Sequence, residues 1–138
     1  MLRKHPLYFF LLVSILVSAA APVAIRFSGT SLDVMDAIAQ ELQNGHAEGV
    51  TAYFGESTEV AVLDKGGSYS REQALAVLQN FFAQNKVIAF YLLEKGKNMD
   101  GRFCIGTLNC RSGNFRVYYS LRAKNNIFVI ETFNIEKQ

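Results

Sequence analysis

Histidine, cysteine and surplus charge are scarce in this sequence, and each scarcity removes a class of chemistry. The 138 residues hold two histidines, His5 and His46. His5 falls in an N-terminal leader pattern, so His46 is the only histidine of the remaining chain. Metal sites that need two imidazoles and His–His proton relays are thereby excluded. The two cysteines, Cys104 and Cys110, are six residues apart in RFCIGTLNC, which reads as one strand. At about 3.3 Å per residue they stand roughly 20 Å apart, whereas a disulfide needs Cα atoms within about 7 Å. Two buried thiols acting as small hydrophobes are expected, with pairing to another chain as the alternative. A zinc site from Cys104, Cys110 and His46 would need ligands about 20 Å apart to converge, so no metal is expected. Charge is balanced as well. Of 14 Lys+Arg against 12 Asp+Glu, Arg3 and Lys4 belong to the leader, which leaves 12 against 12. The sequence pI of 8.6 is therefore no sign of a phosphate-neutralising surface, and no nucleic-acid partner is expected. Gly66-Gly67 is not followed by Lys-Ser/Thr, so no phosphate loop is present. Repeats, linkers and low-complexity stretches are absent too.

The leader itself is plain. Arg3 and Lys4 precede an apolar run from Leu7 to Val17, and Ser18, Ala19, Ala20 and Ala21 follow. A charged start, an apolar middle and a small-residue exit are the pattern of a secretory signal peptide. Ser18-x-Ala20 fits the cleavage rule, which makes residues 1–20 the signal and 27–138 a single domain, exported to the periplasm or extracellular space. The alternative is an uncleaved membrane anchor over residues 7–25, about 28 Å as a helix. Ser14, Ser18 and Pro22 weaken that span, and a membrane partner is expected only if the segment stays attached.

The chain after the leader alternates helical and strand patterns. Ser31 is placed to cap a first helix with Leu32, Met35, Ile38, Ala39 and Leu42 on one face, ended by Asn44-Gly45. A shorter helical piece, HAEGVTAYF, follows, with His46 as an exposed cap residue. Ser57–Leu63 reads as a strand and Lys65-Gly66-Gly67 as a flexible loop. Ser70 and Gln73 then form the S-x-x-Q capping box of a long helix. Ala74, Leu75, Leu78, Phe81 and Phe82 make its apolar face, and at least one of the two Phe side chains is expected to be fully buried. Val87–Lys95, Arg102–Cys110, Phe115–Lys124 and Ile127–Glu136 form an antiparallel meander, with turns at Asn98-Met99-Asp100-Gly101, Arg111-Ser112-Gly113-Asn114 and Asn125-Asn126. The expected fold is α+β in the order α-α-β-α-β-β-β-β, a curved antiparallel sheet wrapped around a long helix.

Two stretches carry a resemblance. G-h-A-E-x-V-x-x-Y-F at Gly45–Phe54 and S-x-x-Q-A-x-x-x-L-x-x-F-F-x-x-N at Ser70–Asn85 resemble nuclear-transport-factor-2-like (cystatin-like) domains. FFAQNK with IGTLNCRSGNFRVYYSL is similar to the exported bacterial domain-of-unknown-function family 4783, and the likeness covers about Ser31 to Glu136. The resemblance implies a cone that often encloses a pocket and often dimerises through the outer face of its sheet. It implies no single function, because superfamily members include isomerases, dehydratases and non-catalytic binding modules.

Two readings of function follow. The first is an exported, non-enzymatic binding or interaction module without cofactor. Its expected partners are a second copy through the outer sheet face, an envelope protein or a small apolar ligand. The second is a pocket enzyme of the isomerase or dehydratase kind, with Glu131 as the acid and a Tyr as oxyanion donor. Glu131 lies mid-strand, aligned with Val129 and Phe133, and its structural role would be an ion pair with Arg116 or Arg122. Tyr53, Tyr91 and Tyr119 can place hydroxyls in the cone. Phe115, Val117, Tyr119 and Leu121 alternate as a core face, which leaves Arg116, Tyr118, Ser120 and Arg122 outside. Tyr118 with Phe128 and Ile130 would make an outer aromatic patch if register aligns them. The candidate binding residues are thus Tyr53, Tyr91, Arg116, Tyr118, Tyr119 and Glu131, and no catalytic residue is assigned. The two readings differ at the inside of the cone. A module has it filled by apolar side chains, and an enzyme has a buried acid beside a Tyr hydroxyl.

Overall fold

The computed structural model describes residues 33–97, 99 and 101–138. The signal peptide, its cleavage site and the Ser31 cap lie outside the described residues. Three helices and six strands follow one another as α1 (Val34–Gln43), α2 (Ala47–Thr51), β1 (Phe54–Val62), β2 (Lys65–Tyr69), α3 (Arg71–Gln84), β3 (Val87–Lys97), β4 (Arg102–Cys110), β5 (Gly113–Lys124) and β6 (Ile127–Lys137). Asp33 is the N-cap of α1, its carboxylate accepting from the Met35 N–H. His46 caps α2 without a side-chain bond to the helix, and its Nδ1 lies 2.6 Å from Glu41 Oε2 at the surface. The Ser70–Gln73 capping box forms in both directions, so α3 starts where its sequence says it should.

The strands make one sheet in the order β2-β1-β6-β5-β4-β3. β3 to β6 are the antiparallel meander, and β1 joins β6 in parallel. Lys65–Tyr69 corrects the expected loop. It is a sixth strand, β2, antiparallel to β1, exposed from Lys65 to Ser68 with only Tyr69 packed against the core. Four exposed residues at an edge show no apolar alternation, so Lys-Gly-Gly-Ser reads as loop. No helix among the described residues is long and apolar enough to cross a membrane.

One face of the sheet is buried under the helices. Ala74, Leu78, Phe81 and Phe82 of α3 are buried, with Leu75 half-buried at the margin. Phe81 meets Phe115 of β5 edge-on at 5.1 Å between ring centres and Phe82 at 5.5 Å. Met35, Ile38 and Leu42 of α1 and Val50 of α2 complete the helical layer. Opposite them stand Cys104, Leu108 and Cys110 of β4, Phe115, Val117, Tyr119 and Leu121 of β5, and Ile130, Phe133 and Ile135 of β6. Both cysteines are free thiols in this core.

β3 is the edge beside α1, and the helix screens it. The Gln43 side chain donates to Ile88 O at 3.2 Å and accepts from Phe90 N–H at 2.6 Å, as a neighbouring strand would. Lower down, Lys95 Nζ reaches Asp36 at 2.5 Å, and Arg102 Nη1 reaches Asp33 at 3.2 Å. β3 and β4 also interlock through two glycines. A Cβ on Gly106 would meet the Phe90 ring at 2.3 Å, and one on Gly96 would meet the Phe103 ring at 2.2 Å. An aromatic ring therefore covers each glycine, Phe90 on the core side and Phe103 on the other.

Candidate functional site

Large side chains pack the centre of the domain. Phe54, Phe133 and Tyr119 are fully buried, and their rings follow one another at 5.5 and 6.4 Å. Tyr119 is thus a core residue. Its hydroxyl donates to Met35 O at 2.9 Å, tying β5 to the start of α1. Burial pushes its phenol far above the ordinary range, with the Cys104 thiol as second cause. The buried polar residues among those described are Thr51, Thr58 and Asn85, and no carboxylate is among them. No group of three His, Cys, Asp or Glu side chains is placed to hold a metal ion among the described residues.

Glu131 does not face this interior. β5 and β6 pair as Ser120↔Thr132 and Leu121↔Ile130, so Glu131 is one residue too many on its strand, a β-bulge. The bulge breaks the period of two, and Val129 and Phe133, expected on one face, lie on opposite faces. Ile130 and Phe133 are buried, and Glu131 turns outward to Arg122 at 3.2 Å, both side chains about half-exposed. The structural ion pair is the arrangement observed, and no Tyr hydroxyl is brought to Glu131. The same register overturns the patch of Tyr118 with Phe128 and Ile130. Ile130 is in the core, and the Phe128 ring packs on the core with the Arg102 guanidinium 4.6 Å above it.

The outer face carries a different patch. Tyr118 stacks on Phe103 with centres 6.5 Å apart, and Ile105 pairs with Tyr118 in register. Two more bulges bring β3 into it. Its register slips at Val87/Ala89 and at Leu92/Glu94, so Ile88 and Leu93 are the extra residues. In a bulge two residues stand opposite one and share its face, which puts Ile88, Tyr91 and Leu93 outside together. They are 55%, 57% and 64% exposed. Tyr118 was expected outside and is; Tyr91, expected to place its hydroxyl in the cone, stands on the outer face instead, and Ile88, Leu93, Phe103 and Ile105 were missed. The run Val87–Leu93 was the available signal, because an unbroken apolar run on a one-sided sheet must place some side chains in water. Next to the patch, Arg116 and Tyr118 line a shallow hollow of about 200 Å³ with Asn134 and Glu136.

The last candidate, Tyr53, lies elsewhere. It follows α2 and lines a hollow of about 500 Å³ with Arg71, Lys124, Ile127, Phe128 and Val129. A second hollow of about 450 Å³, lined by Gly55, Ser57, Arg122, Lys124, Val129 and Glu131, adjoins it. The cause is a skip in the β1–β6 pairing, from Phe54↔Ile130 to Glu59↔Thr132. Five steps of β1 match two of β6, so Gly55–Ser57 arch away and Thr58 Oγ1 fills in by donating to Ile130 O at 3.2 Å. The candidate residues therefore fall into three places, the core (Tyr119), the outer face (Tyr91, Arg116, Tyr118) and the arch (Tyr53, Glu131).

Three helices packed on one face of this six-stranded sheet define a cystatin-like domain of the nuclear-transport-factor-2-like class. The profile of the family described as a domain of unknown function (DUF4783) matches residues 35–136, and the chain belongs to that family. A DUF4783 family protein from Bacteroides fragilis YCH46 is 30% identical, with 74% of this chain and 96% of that one covered at a TM-score of 0.70. One from Bacteroides uniformis ATCC 8492 is 26% identical, with 77% and 98% covered at 0.73. A cystatin-like domain of unknown function from Nostoc punctiforme PCC 73102 shares the fold at 13% identity, 75% and 72% coverage and a TM-score of 0.60. No curated protein matches the chain.

Proposed function

We propose that the protein is an exported, non-enzymatic interaction module that pairs with a second copy of itself through the outer face of its sheet. The observation that carries this reading is the cluster of Ile88, Tyr91, Leu93, Phe103, Ile105 and Tyr118, apolar and partly exposed on one face. A patch of that kind on a small domain is normally covered. Balanced charge leaves little repulsion between copies. The packed core and the outward Glu131 favour a module over a pocket enzyme, and residues 1–20 supply the route of export. The β3 edge is a poor alternative contact, because Gln43 occupies it at Ile88–Phe90 and two bulges distort it.

Sedimentation equilibrium tests the reading. The parent should be a dimer at micromolar concentration, and Leu93→Glu and Tyr118→Glu should each be monomers with an unchanged circular-dichroism spectrum. A monomeric parent, or a dimer indifferent to both changes, would sink the outer-face interface.

A further inference from the structure

The adjoining hollows at the β1 arch combine features that the rest of the surface does not explain. Their wall is apolar, made by Tyr53, Phe128, Val129 and Ile127, and Ile127 leaves 66% of its surface exposed. Their rim is cationic. Arg71, Arg122 and Lys124 stand against Glu56 and Glu131, and Arg122 already holds Glu131. Lys124 has no ion pair among the described residues. Arg71 spends one N–H on Phe54 O at 2.7 Å and likewise meets no carboxylate. Lys124 and Ile127 are register partners across the β5–β6 hairpin, so a cation and an exposed apolar side chain sit side by side.

We propose that this cleft binds an amphiphilic anion, an apolar chain of several carbons ending in a carboxylate. The chain would lie along Tyr53, Ile127 and Val129, and the carboxylate would meet Lys124 and Arg71. The charge arrangement selects the sign of the head group. An ammonium would face two unpaired cations, with only Glu56 to receive it. The site is separate from the outer-face patch, because neither hollow includes Ile88, Tyr91, Leu93, Phe103, Ile105 or Tyr118. Its failure would leave the self-association untouched, and the reverse holds as well.

The probe is octanoate, used below its aggregation concentration, added to the ¹⁵N-labelled full-length chain. Saturable shifts are expected at the amides of Gly55, Glu56, Lys124 and Val129. Octylammonium, with a chain of equal length and the opposite charge, should bind about fivefold more weakly or less, the effect of one favourable ion contact. Lys124→Glu should weaken octanoate by a similar factor and Ile127→Asp by more, while Lys65→Glu, away from the cleft, should not. Both cleft positions are exposed, so the variants should keep the parent melting temperature. Shifts that spare the arch, equal binding of the two amphiphiles, or parent-like affinity in Lys124→Glu would each overturn the site.

Discussion

At the scale of single residues, the stability of the domain rests on rings and on groups that keep their protons. Phe81 bridges α3 to Phe115, and Phe82 is packed beside it. Truncating either to Ala should cost about 3–5 kcal/mol, because both are buried. Against a total of roughly 5–15 kcal/mol, each change should visibly lower the melting temperature, while exposed Gln79→Ala should leave it in place. Titration points in one direction. Burial raises the Cys104 and Cys110 thiols above their ordinary 9.0. The Tyr119 phenol is raised by burial, and Lys95 is raised above 10.5, chiefly by its hydrogen bond to Asp36. A raised pKa means that the folded state holds its proton more tightly than the unfolded chain. The stability that depends on these protons is complete below about pH 9 and is lost as pH climbs through the folded values. Melting temperatures measured from pH 7 to 11 should therefore fall on the alkaline side. The same burial predicts that a thiol reagent at pH 8 modifies both cysteines in denaturant and neither in the native protein, with no Cys104–Cys110 disulfide in peptide maps.

At the scale of elements, what the sequence discloses is whatever repeats with a fixed period or sits at a cap. Ser70 and Gln73 marked the start of α3, and Ser70→Ala should cost about 1 kcal/mol through the lost cap. Arg102–Cys110 runs between the residues its alternation set, and the β4–β5 and β5–β6 turns fall where Ser-Gly and Asn-Asn put them. The losses were at irregularities. Three bulges, at Ile88, Leu93 and Glu131, each shift the inward face by one residue and have no residue type of their own. They account for the misplaced Glu131 and for the unseen Ile88 and Leu93 of the outer patch. The β1 arch was hidden for another reason. It arises from parallel pairing between residues 73 to 76 apart in sequence (Phe54↔Ile130, Glu59↔Thr132), and nothing local records that register. Tyr53 was named because it is a tyrosine, while Lys124 and Ile127, which give the cleft its character, look in sequence like the flanks of a hairpin turn.

For the whole molecule, the two proposals divide the surface between a face that recognises another copy and an end that takes a small amphiphile. Export is a separate proposal, and intact-mass measurement of protein from its native envelope should find residues 1–20 removed. A retained Met1 would favour the anchor over residues 7–25. Strand order adds a consequence in time. β6 lies in the middle of the sheet, between β1 and β5, although it is the last strand of the domain. During synthesis the β1–β2 hairpin and α3 emerge early, yet the sheet cannot join them to the meander until residues 127–137 are available. A nascent chain halted before Ile127 would have two disconnected pieces of sheet and an uncovered helix face. The six-stranded sheet therefore cannot close until β6 is in place between β1 and β5. If residues 1–20 direct export as proposed, that late closure would keep the chain competent for passage through a membrane channel.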